Sequence, residues 1–249
     1  MRRLQIRHFL LFGLLKDRFL FLSRRQIERV LTLATRMSNK ELAWLCSGGY
    51  LQRRYRADSF EHFQTPLYYL GVRGWRMTGK SAEDYKGYQA EIEERSDRGL
   101  DHLLAVYDVL LKFILEAHVK RIIGGEDRYW HESLSFGNIP DGWIEYQGGA
   151  GFIEVDRDTE PPVVVAKKFD NYIRFKRSGN YGILFPGCVF KVLFITTTEE
   201  RIESLERVTK SDDIWFATMD EFLREKVDHQ HWFALNGFYA LPVAAKKEV

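Results

Sequence analysis

The segment from residue 140 to residue 156 constrains the fold of this chain more than any other part of the sequence. Two short runs of β-favouring residues, 143–146 and 152–155, flank the sequence Gln147-Gly148-Gly149-Ala150. Such runs, separated by a short glycine-containing segment, are typical of an antiparallel β-hairpin. We therefore expect a hairpin here.

This hairpin would gather three carboxylates on one face. If its turn centres between Gln147 and Gly148, Asp141 falls opposite Glu154. Alternation along a strand then places Glu154 and Asp156 on the same face. Because like charges this close repel, the face is either open to water or bridged by a divalent cation. Spacing alone favours a solvated face.

The segments after the hairpin alternate between helix and strand. Thr159 is predicted to cap a helix that begins at a proline, and Lys168 and Tyr172 lie one turn apart on a single face of it. Later segments are a strand at 189–196, a helix at 199–208 capped by Thr198, a strand at 214–217 and a helix at 220–227. This order predicts an α/β (α+β) domain with a mixed sheet, in which the first helix can bring Lys168 to the carboxylates.

The net charge of +2 conceals a strong asymmetry. Residues 1–80 contain 16 Lys or Arg and 5 Asp or Glu, a net charge of +11, whereas the rest of the chain carries −9. A basic segment attracts nucleic acid through its phosphates, and an acidic one is repelled unless it binds cations. The N-terminal third is therefore a candidate for binding a polyanion.

The N-terminal third has the element order of a winged helix. Residues 23–26 and 38–41 each match a capping box that starts a helix, and Gly48-Gly49 ends the second helix. Two strands are predicted to follow, at 50–55 and 67–70. We expect a winged helix-turn-helix module at 1–80, a linker helix at 81–120 that Gly87 and Gly99 kink or break, and the α/β domain at 121–249.

A winged helix places its recognition helix in the major groove of duplex DNA and its hairpin along the backbone. The residues expected near base edges are Arg36, Asn39 and Lys40, and those expected at phosphates on the wing are Arg53, Arg54 and Arg56. A solvated basic surface without a ligand is the alternative, since scattered cations are common on protein surfaces.

Cellular location is predicted from the cysteines and from the N-terminal apolar run. Cys46 and Cys188 lack metal-ligand spacing, which fits reduced thiols better than a disulfide framework. The run at 9–15 is followed by Lys16-Asp17-Arg18 and lacks a small-residue cleavage site, so it resembles neither a signal sequence nor a membrane span. We expect a soluble, cytoplasmic protein that does not bind membranes.

The order of several short motifs resembles the replication-relaxation proteins of plasmids and mobile elements. The motifs are Gly49-Tyr50-Leu51-Gln52-Arg53, Tyr68-Tyr69-Leu70, His102 with Asp108, Pro140-Asp141, and the run from Phe152 to Glu160 followed by Lys168 and Tyr172. This resemblance implies a winged helix joined to a restriction-endonuclease-like domain.

The endonuclease-like fold implied by the resemblance uses a Pro-Asp, then an acidic residue, one spacer and a lysine, around Mg²⁺. Asp141 and Glu154 match the metal ligands, and Asp156 occupies the usual lysine position and is a further candidate ligand. Lys168 could supply the missing ammonium from the helix. The resemblance thus implies Asp141, Glu154, Asp156 and Lys168 as catalytic candidates, the three carboxylates being the candidate metal ligands.

Three functions fit these expectations. The first is a DNA-binding protein of plasmid or mobile-element replication, relaxation or mobilisation, with a nuclease-like second domain and other replication or mobilisation proteins as partners. The second is an active Mg²⁺-dependent DNA endonuclease or nickase. The third is a winged-helix transcriptional regulator whose C-terminal domain serves homodimerisation or ligand sensing.

Overall fold

A computed structural model describes residues 3–55, 66–97, 99–117, 119–124, 137–146, 149–209, 211–226, 231–234 and 237–240. The chain divides into two compact units, Met1–Tyr107 (unit 1) and Asp108–Val249 (unit 2). Both helices and strands contribute, so the protein has the mixed α/β (α+β) fold that the sequence predicts. No helix in the described ranges is long and apolar enough to cross a membrane.

Unit 1 combines helices with a small antiparallel sheet. In chain order its elements are α1 (Ile6–Asp17), β1 (Leu22–Ser23), α2 (Arg24–Leu31), α3 (Thr35–Ser47), β2 (Leu51–Arg54), β3 (Leu67–Leu70), α4 (Val72–Met77), α5 (Ala82–Glu94) and α6 (Leu100–Glu116), whose last part belongs to unit 2. The strand order is β1-β3-β2, with both pairs antiparallel. The predicted second strand is confirmed in full, and the first is shorter than predicted.

The first of the two predicted capping boxes is confirmed and the second is wrong. At α2, the Ser23 N–H donates to Gln26 Oε1 (2.8 Å), and the Gln26 N–H donates to Ser23 Oγ (3.4 Å). Ser38 instead lies inside α3, which begins at Thr35. The Ser38 hydroxyl donates to Glu28 Oε1 (2.7 Å), so a contact between two helices has replaced the expected cap.

The predicted glycine stop after α3 is confirmed. α3 ends at Ser47, and Gly49 adopts a φ of 71°, which residues with a Cβ rarely occupy.

The stretch predicted as one linker helix contains α5 and α6. Ser81 caps α5 by accepting a hydrogen bond from the Asp84 N–H (3.1 Å). Gly87 lies within α5 and does not break it. Gly99 precedes α6 with a φ of 78°, so the expected break is found at Gly99 alone.

Unit 2 is built around a seven-stranded mixed sheet. Its elements are β4 (Val119–Gly124), β5 (Gly142–Tyr146), β6 (Gly149–Val155), α7 (Pro162–Arg177), α8 (Asn180–Leu184), β7 (Val192–Thr196), α9 (Glu199–Glu206), β8 (Ile214–Thr218), α10 (Met219–Arg224), β9 (His231–Ala234) and β10 (Gly237–Ala240). The strand order is β10-β9-β8-β7-β6-β5-β4. β6, β7 and β8 are parallel, and the other neighbours are antiparallel.

The predicted hairpin register is confirmed. Gly142 pairs with Ile153 and Tyr146 pairs with Gly149, which leaves two residues between the strands, 147 and 148, outside the described residues. One further step along this register places Asp141 opposite Glu154. Trp143 and Phe152 face each other in this pairing, and both are fully buried.

The helices of unit 2 cover an aromatic-rich core. α7 buries Val165, Phe169, Tyr172 and Phe175. Pro162 occupies the first turn of α7 as predicted, but the residue before the helix is Pro161, so Thr159 is not the cap. The predicted cap at α9 is confirmed, because Thr198 Oγ1 accepts a hydrogen bond from the Arg201 N–H (3.2 Å).

Candidate functional site

Asp141 and Glu154 meet across the β5–β6 hairpin. Asp141 stands immediately before β5, and its Oδ2 accepts a hydrogen bond from the Val155 N–H (2.7 Å). This bond fixes the Asp141 carboxylate beside the strand that carries Glu154. Glu154 is 95% buried, with a relative exposure of only 5%. Two predicted site residues are therefore brought together.

The surroundings of Glu154 favour its protonated form. Burial, and next the negative charge of Asp141, raise the pKa of Glu154 to about 8. A hydrogen bond from the Tyr172 hydroxyl to Glu154 Oε1 and the charge of Lys168 oppose this rise. At neutral pH the carboxyl group therefore retains a proton, and an added cation would favour its loss.

Tyr172 is held in place by the same contact. Its side chain is fully buried, and burial followed by the charge of Glu154 raises the pKa of the phenol well above its usual value. The phenol therefore stays protonated and acts as a hydrogen-bond donor to Glu154.

Lys168 lies on α7, one turn before Tyr172, and its Nζ forms an ion pair with Glu160 Oε2 (2.7 Å). Burial disfavours the charged ammonium, but the Glu160 hydrogen bond and the charge of Glu154 outweigh it, so the pKa of Lys168 is raised. Lys168 therefore keeps its positive charge close to the two carboxylates, as the helical spacing predicts.

Asp156 has a separate set of partners. Its Oδ2 accepts hydrogen bonds from Arg201 Nε (2.8 Å) and Thr196 Oγ1 (2.9 Å), and its Oδ1 accepts one from the Asp158 N–H (3.1 Å). Arg201 also donates through Nη2 to the Glu160 carbonyl (2.6 Å). Both carboxylate oxygens of Asp156 are thus used within the protein.

The donor set at Asp141 and Glu154 suits a divalent cation. Mg²⁺ is commonly bound by one or two carboxylates, with waters and substrate phosphates completing its shell. Two close carboxylates, one of them with a raised pKa, form such a pair. Within the described ranges no three His, Cys, Asp or Glu side chains converge as a metal cluster.

The predicted DNA-contacting residues of α3 lie together on its exposed side. Arg36, Asn39 and Lys40 are exposed near the start of the helix. Ser38, Glu41, Leu42 and Leu45 form the buried side of the same helix. The first three side chains are therefore presented outward by a helix that is anchored from its other side.

Among the predicted wing residues, only Arg53 is an exposed cation that the structure describes. Arg54 is half-buried, and its guanidinium donates to Asp97 Oδ1 (2.7 Å) and to the carbonyls of Ile92 (2.6 Å) and Arg95. Arg56 lies outside the described residues. Arg54, which was expected at a phosphate, makes internal contacts in this structure that join β2 to the end of α5 and the residues after it.

Sequence reasoning missed Arg201 and Glu160. Arg201 is only 6% exposed, and Glu160 orients Lys168. Arg201 follows the Thr198 cap on a charged helix, where it is indistinguishable in sequence from a solvated residue. The parallel pairing of β6 with β7 places the end of β6 beside the start of α9.

Comparison with known protein families gives one match. The replication-relaxation family matches residues 15–184, which is more than half of the chain and includes α3, the β5–β6 hairpin and α7. No curated protein sequence matches the chain significantly.

Proposed function

This chain belongs to the replication-relaxation family, and from that premise we propose that it is a DNA-binding protein acting in the replication or relaxation of plasmid or mobile-element DNA. The observation that carries the proposal is the exposed group Arg36, Asn39 and Lys40 at the start of α3, within a segment of net charge +11. Such a group suits base edges and phosphates together.

The order of elements in unit 1 supports a winged-helix module. α1, α2 and α3 precede the β2–β3 hairpin, and β1 completes the sheet by pairing with β3. In this assignment α3 is the recognition helix and Arg53 on β2 contacts the backbone. Arg54 is left out because its guanidinium serves the protein itself.

Contacts on the buried side of α3 would hold the recognition helix in place. Ser38 bonds to Glu28 on α2, and Glu41 pairs with His8 on α1 (Nε2 to Oε1, 2.8 Å). His8 Nδ1 accepts a hydrogen bond from the Gln5 N–H (2.8 Å), so the proton of a neutral His8 lies on Nε2, facing Glu41. α3 is thereby joined to both preceding helices.

Binding to duplex DNA tests this proposal. We expect steep loss of affinity between about 50 and 200 mM salt, and at least about tenfold weaker binding by Arg36→Gln/Lys40→Gln. Lys80→Gln/Lys86→Gln removes two exposed cations elsewhere in unit 1 and is the matched control. If the affinity does not depend on salt concentration, or falls equally in both variants, the assignment of α3 as the DNA-binding helix is contradicted.

A second function, metal-dependent DNA cleavage, is supported by the raised pKa of Glu154 beside Asp141. Asp141 and Glu154 would hold the cation, which when bound lowers the pKa of a coordinated water and offsets charge on the phosphate. Tyr172 orients the Glu154 carboxylate through its hydrogen bond. Lys168, kept charged and positioned by Glu160, would stabilise negative charge at the scissile phosphate.

In this proposal Asp156 does not bind the cation. Arg201, Thr196 and the Asp158 N–H already occupy its oxygens. Asp156 holds Arg201, and Arg201 also donates to the backbone carbonyl of Glu160. Asp156 therefore acts indirectly, by fixing the loop that carries Glu160, the ion-pair partner of Lys168.

Nicking assays on supercoiled and single-stranded DNA with Mg²⁺ or Mn²⁺ test the cleavage proposal. Glu154→Gln and Lys168→Met should each lower the nicking rate by about a hundredfold or more. The exposed changes Glu203→Gln and Lys226→Met are matched controls in the same unit. Nicking that persists in both site variants would show that these residues are not the source of cleavage.

A further inference from the structure

Unit 2 contains a groove between α7 and the segment that joins α9 to β8. Its volume is about 570 Å³, which falls within the range of roughly 300 to 1,000 Å³ typical of ligand sites. Its cationic lining residues are Lys167, Arg174 and Arg177, and its apolar ones include Ile173, Val208 and Ile214. The groove thus combines positive charge with an apolar surface.

The cations of the groove differ from the other cations of α7 in their partners. Lys168 pairs with Glu160 (2.7 Å), and Lys176 pairs with Asp213 (2.6 Å). The side chains of Lys167 and Arg177, by contrast, form no ion pair or hydrogen bond with any residue in the described ranges. Their positive charges are therefore available to a ligand.

The groove retains excess positive charge after its other polar groups are counted. Arg174 donates to Asn171 Oδ1, an uncharged acceptor, and keeps its full charge. Among the described residues that line the groove, Asp170 is the one carboxylate, and Ser211 adds a hydroxyl. Three cations against one carboxylate make the groove suitable for an anion although unit 2 as a whole is acidic.

The spacing of these cations suits an extended anion. Lys167 and Arg174 are seven residues apart on α7, and Arg177 follows one turn later, so the three span about 15 Å along the helix axis. Ile173 and Val208 are half-buried and Ile214 is fully buried, which gives the groove an apolar base. A ligand that fits needs several negative charges and apolar surfaces alongside them.

We propose that this groove binds a single strand of DNA, with phosphates at Lys167, Arg174 and Arg177 and bases against Ile173 and Val208. Single strands expose their bases to apolar side chains, whereas a duplex keeps them stacked inside and would use only the cations. The inference rests on the proposed function in taking DNA as the ligand. It deepens that function because α7 also supplies Lys168, so a strand bound in the groove lies on the helix of the candidate cleavage site.

Fluorescence anisotropy with the full chain and an oligothymidylate of about 12 nucleotides, without divalent cations, tests the groove. Lys167→Gln/Arg174→Gln/Arg177→Gln should weaken binding at least about tenfold and reduce the salt-dependence slope by about 2. Lys120→Gln/Arg224→Gln/Lys226→Gln removes the same charge from exposed positions of unit 2 and should bind as wild type does. The charge-retaining variant Lys167→Arg/Arg174→Lys/Arg177→Lys should stay within about threefold of wild type.

Repeating the binding experiment with duplex DNA distinguishes failure of this inference from failure of the proposed function. The groove variant should bind duplex DNA almost as wild type does, whereas Arg36→Gln/Lys40→Gln should lose duplex binding and retain binding of the single strand. Normal duplex binding by the α3 variant overturns the winged-helix assignment alone. Normal single-strand binding by the groove variant overturns the groove alone.

Two further results would overturn the assignment of single-stranded DNA as the ligand of the groove. If the groove variant loses equal affinity for single-stranded and duplex DNA, the effect of the three cations is a general electrostatic one. If thymidine monophosphate displaces the oligothymidylate at concentrations similar to those at which the oligothymidylate itself binds, the groove is a nucleotide pocket. The three side chains are exposed, so thermal unfolding should change little. If the triple variant does not fold, the single changes Lys167→Gln and Arg177→Gln should each weaken strand binding about twofold to fourfold, and no effect in either would overturn the groove.

Discussion

Two neighbouring regions of unit 2 use buried carboxylates in opposite ways. Glu154 lies near the end of β6 and Asp156 directly follows that strand, with relative exposures of 5% and 9%. Asp156 contacts the Arg201 guanidinium at 2.8 Å, whereas Glu154 is near another carboxylate, Asp141, and has a raised pKa. Similar burial therefore leads to different protonation, because Asp156 contacts a guanidinium directly, whereas at Glu154 the charge of Asp141 outweighs that of Lys168.

The largest expected effect comes from removing the internal counter-charge of Asp156. Arg201→Met leaves a buried carboxylate without its cation and should lower the free energy of unfolding by about 3 to 5 kcal/mol, measured by chemical denaturation. The double variant Asp156→Asn/Arg201→Met should recover part of this loss, because no buried charge then remains unpaired. A loss below about 1 kcal/mol for the single variant would contradict the role given to Arg201.

The pH dependence of stability should report the raised pKa of Glu154. Its pKa is about 8 in the folded protein against 4.5 for the unperturbed group, so between these values the folded state holds a proton that the unfolded state has lost. Stability contributed by Glu154 is thus fully present below about pH 4.5, decreases as pH rises and is lost above about pH 8. The total change should be about 5 kcal/mol, since each pKa unit corresponds to about 1.4 kcal/mol.

Glu154→Gln should abolish this component of the pH profile in the metal-free protein. The hydrogen bond from Tyr172 lowers the pKa of Glu154, so Tyr172→Phe should raise that pKa further. The loss of stability with rising pH should then continue to a higher pH than in wild type. A difference between wild type and Glu154→Gln that is constant from pH 5 to pH 8 would contradict the raised pKa.

Addition of Mn²⁺ should stabilise the Glu154 region and not the Asp156 region. At a concentration about 100 times its Kd, a ligand that binds only the folded state adds about 2.7 kcal/mol. Wild type and Asp156→Asn/Arg201→Met should show this gain in denaturation experiments, and Asp141→Asn and Glu154→Gln should lose it. Equal gains in all four proteins would mean that the cation binds elsewhere.

The smallest expected effect concerns the ion pair between Lys168 and Glu160, whose side chains are 35% and 39% exposed. Partly exposed pairs contribute little, so Glu160→Gln should lower the free energy of unfolding by less than about 1 kcal/mol. Its nicking rate should fall more clearly, because Lys168 loses the partner that positions it. A stability loss as large as that of Arg201→Met would show that the two ion pairs are equivalent.

Local patterns predicted the parts of the structure that depend on neighbours in sequence. The hairpin register follows from strand alternation and a short turn, and the starts of α2 and α9 follow from side chains that cap their own helices. The false capping box at Ser38 shows the limit of this reasoning. Its hydroxyl bonds to Glu28, ten residues away on another helix, where long-range packing overrides the local preference.

In the candidate site, too, local sequence patterns predict some contacts and long-range packing determines the others. Glu154, Asp141 and Lys168 were predicted because a hairpin register and a helical spacing bring them together. The contact between Asp156 and Arg201 joins residues 45 positions apart and depends on how β6 pairs with β7, which no local motif specifies. The separation of Asp156 from the proposed cation site was therefore visible only in three dimensions.

Anomalous diffraction from a crystal soaked in Mn²⁺ tests the central contrast most directly. We expect a peak between the carboxylates of Asp141 and Glu154, and none at Asp156, whose oxygens remain bonded to Arg201 and Thr196. A peak at Asp156 with Arg201 displaced, or Asp141 and Glu154 without metal at saturating Mn²⁺, would contradict this expectation.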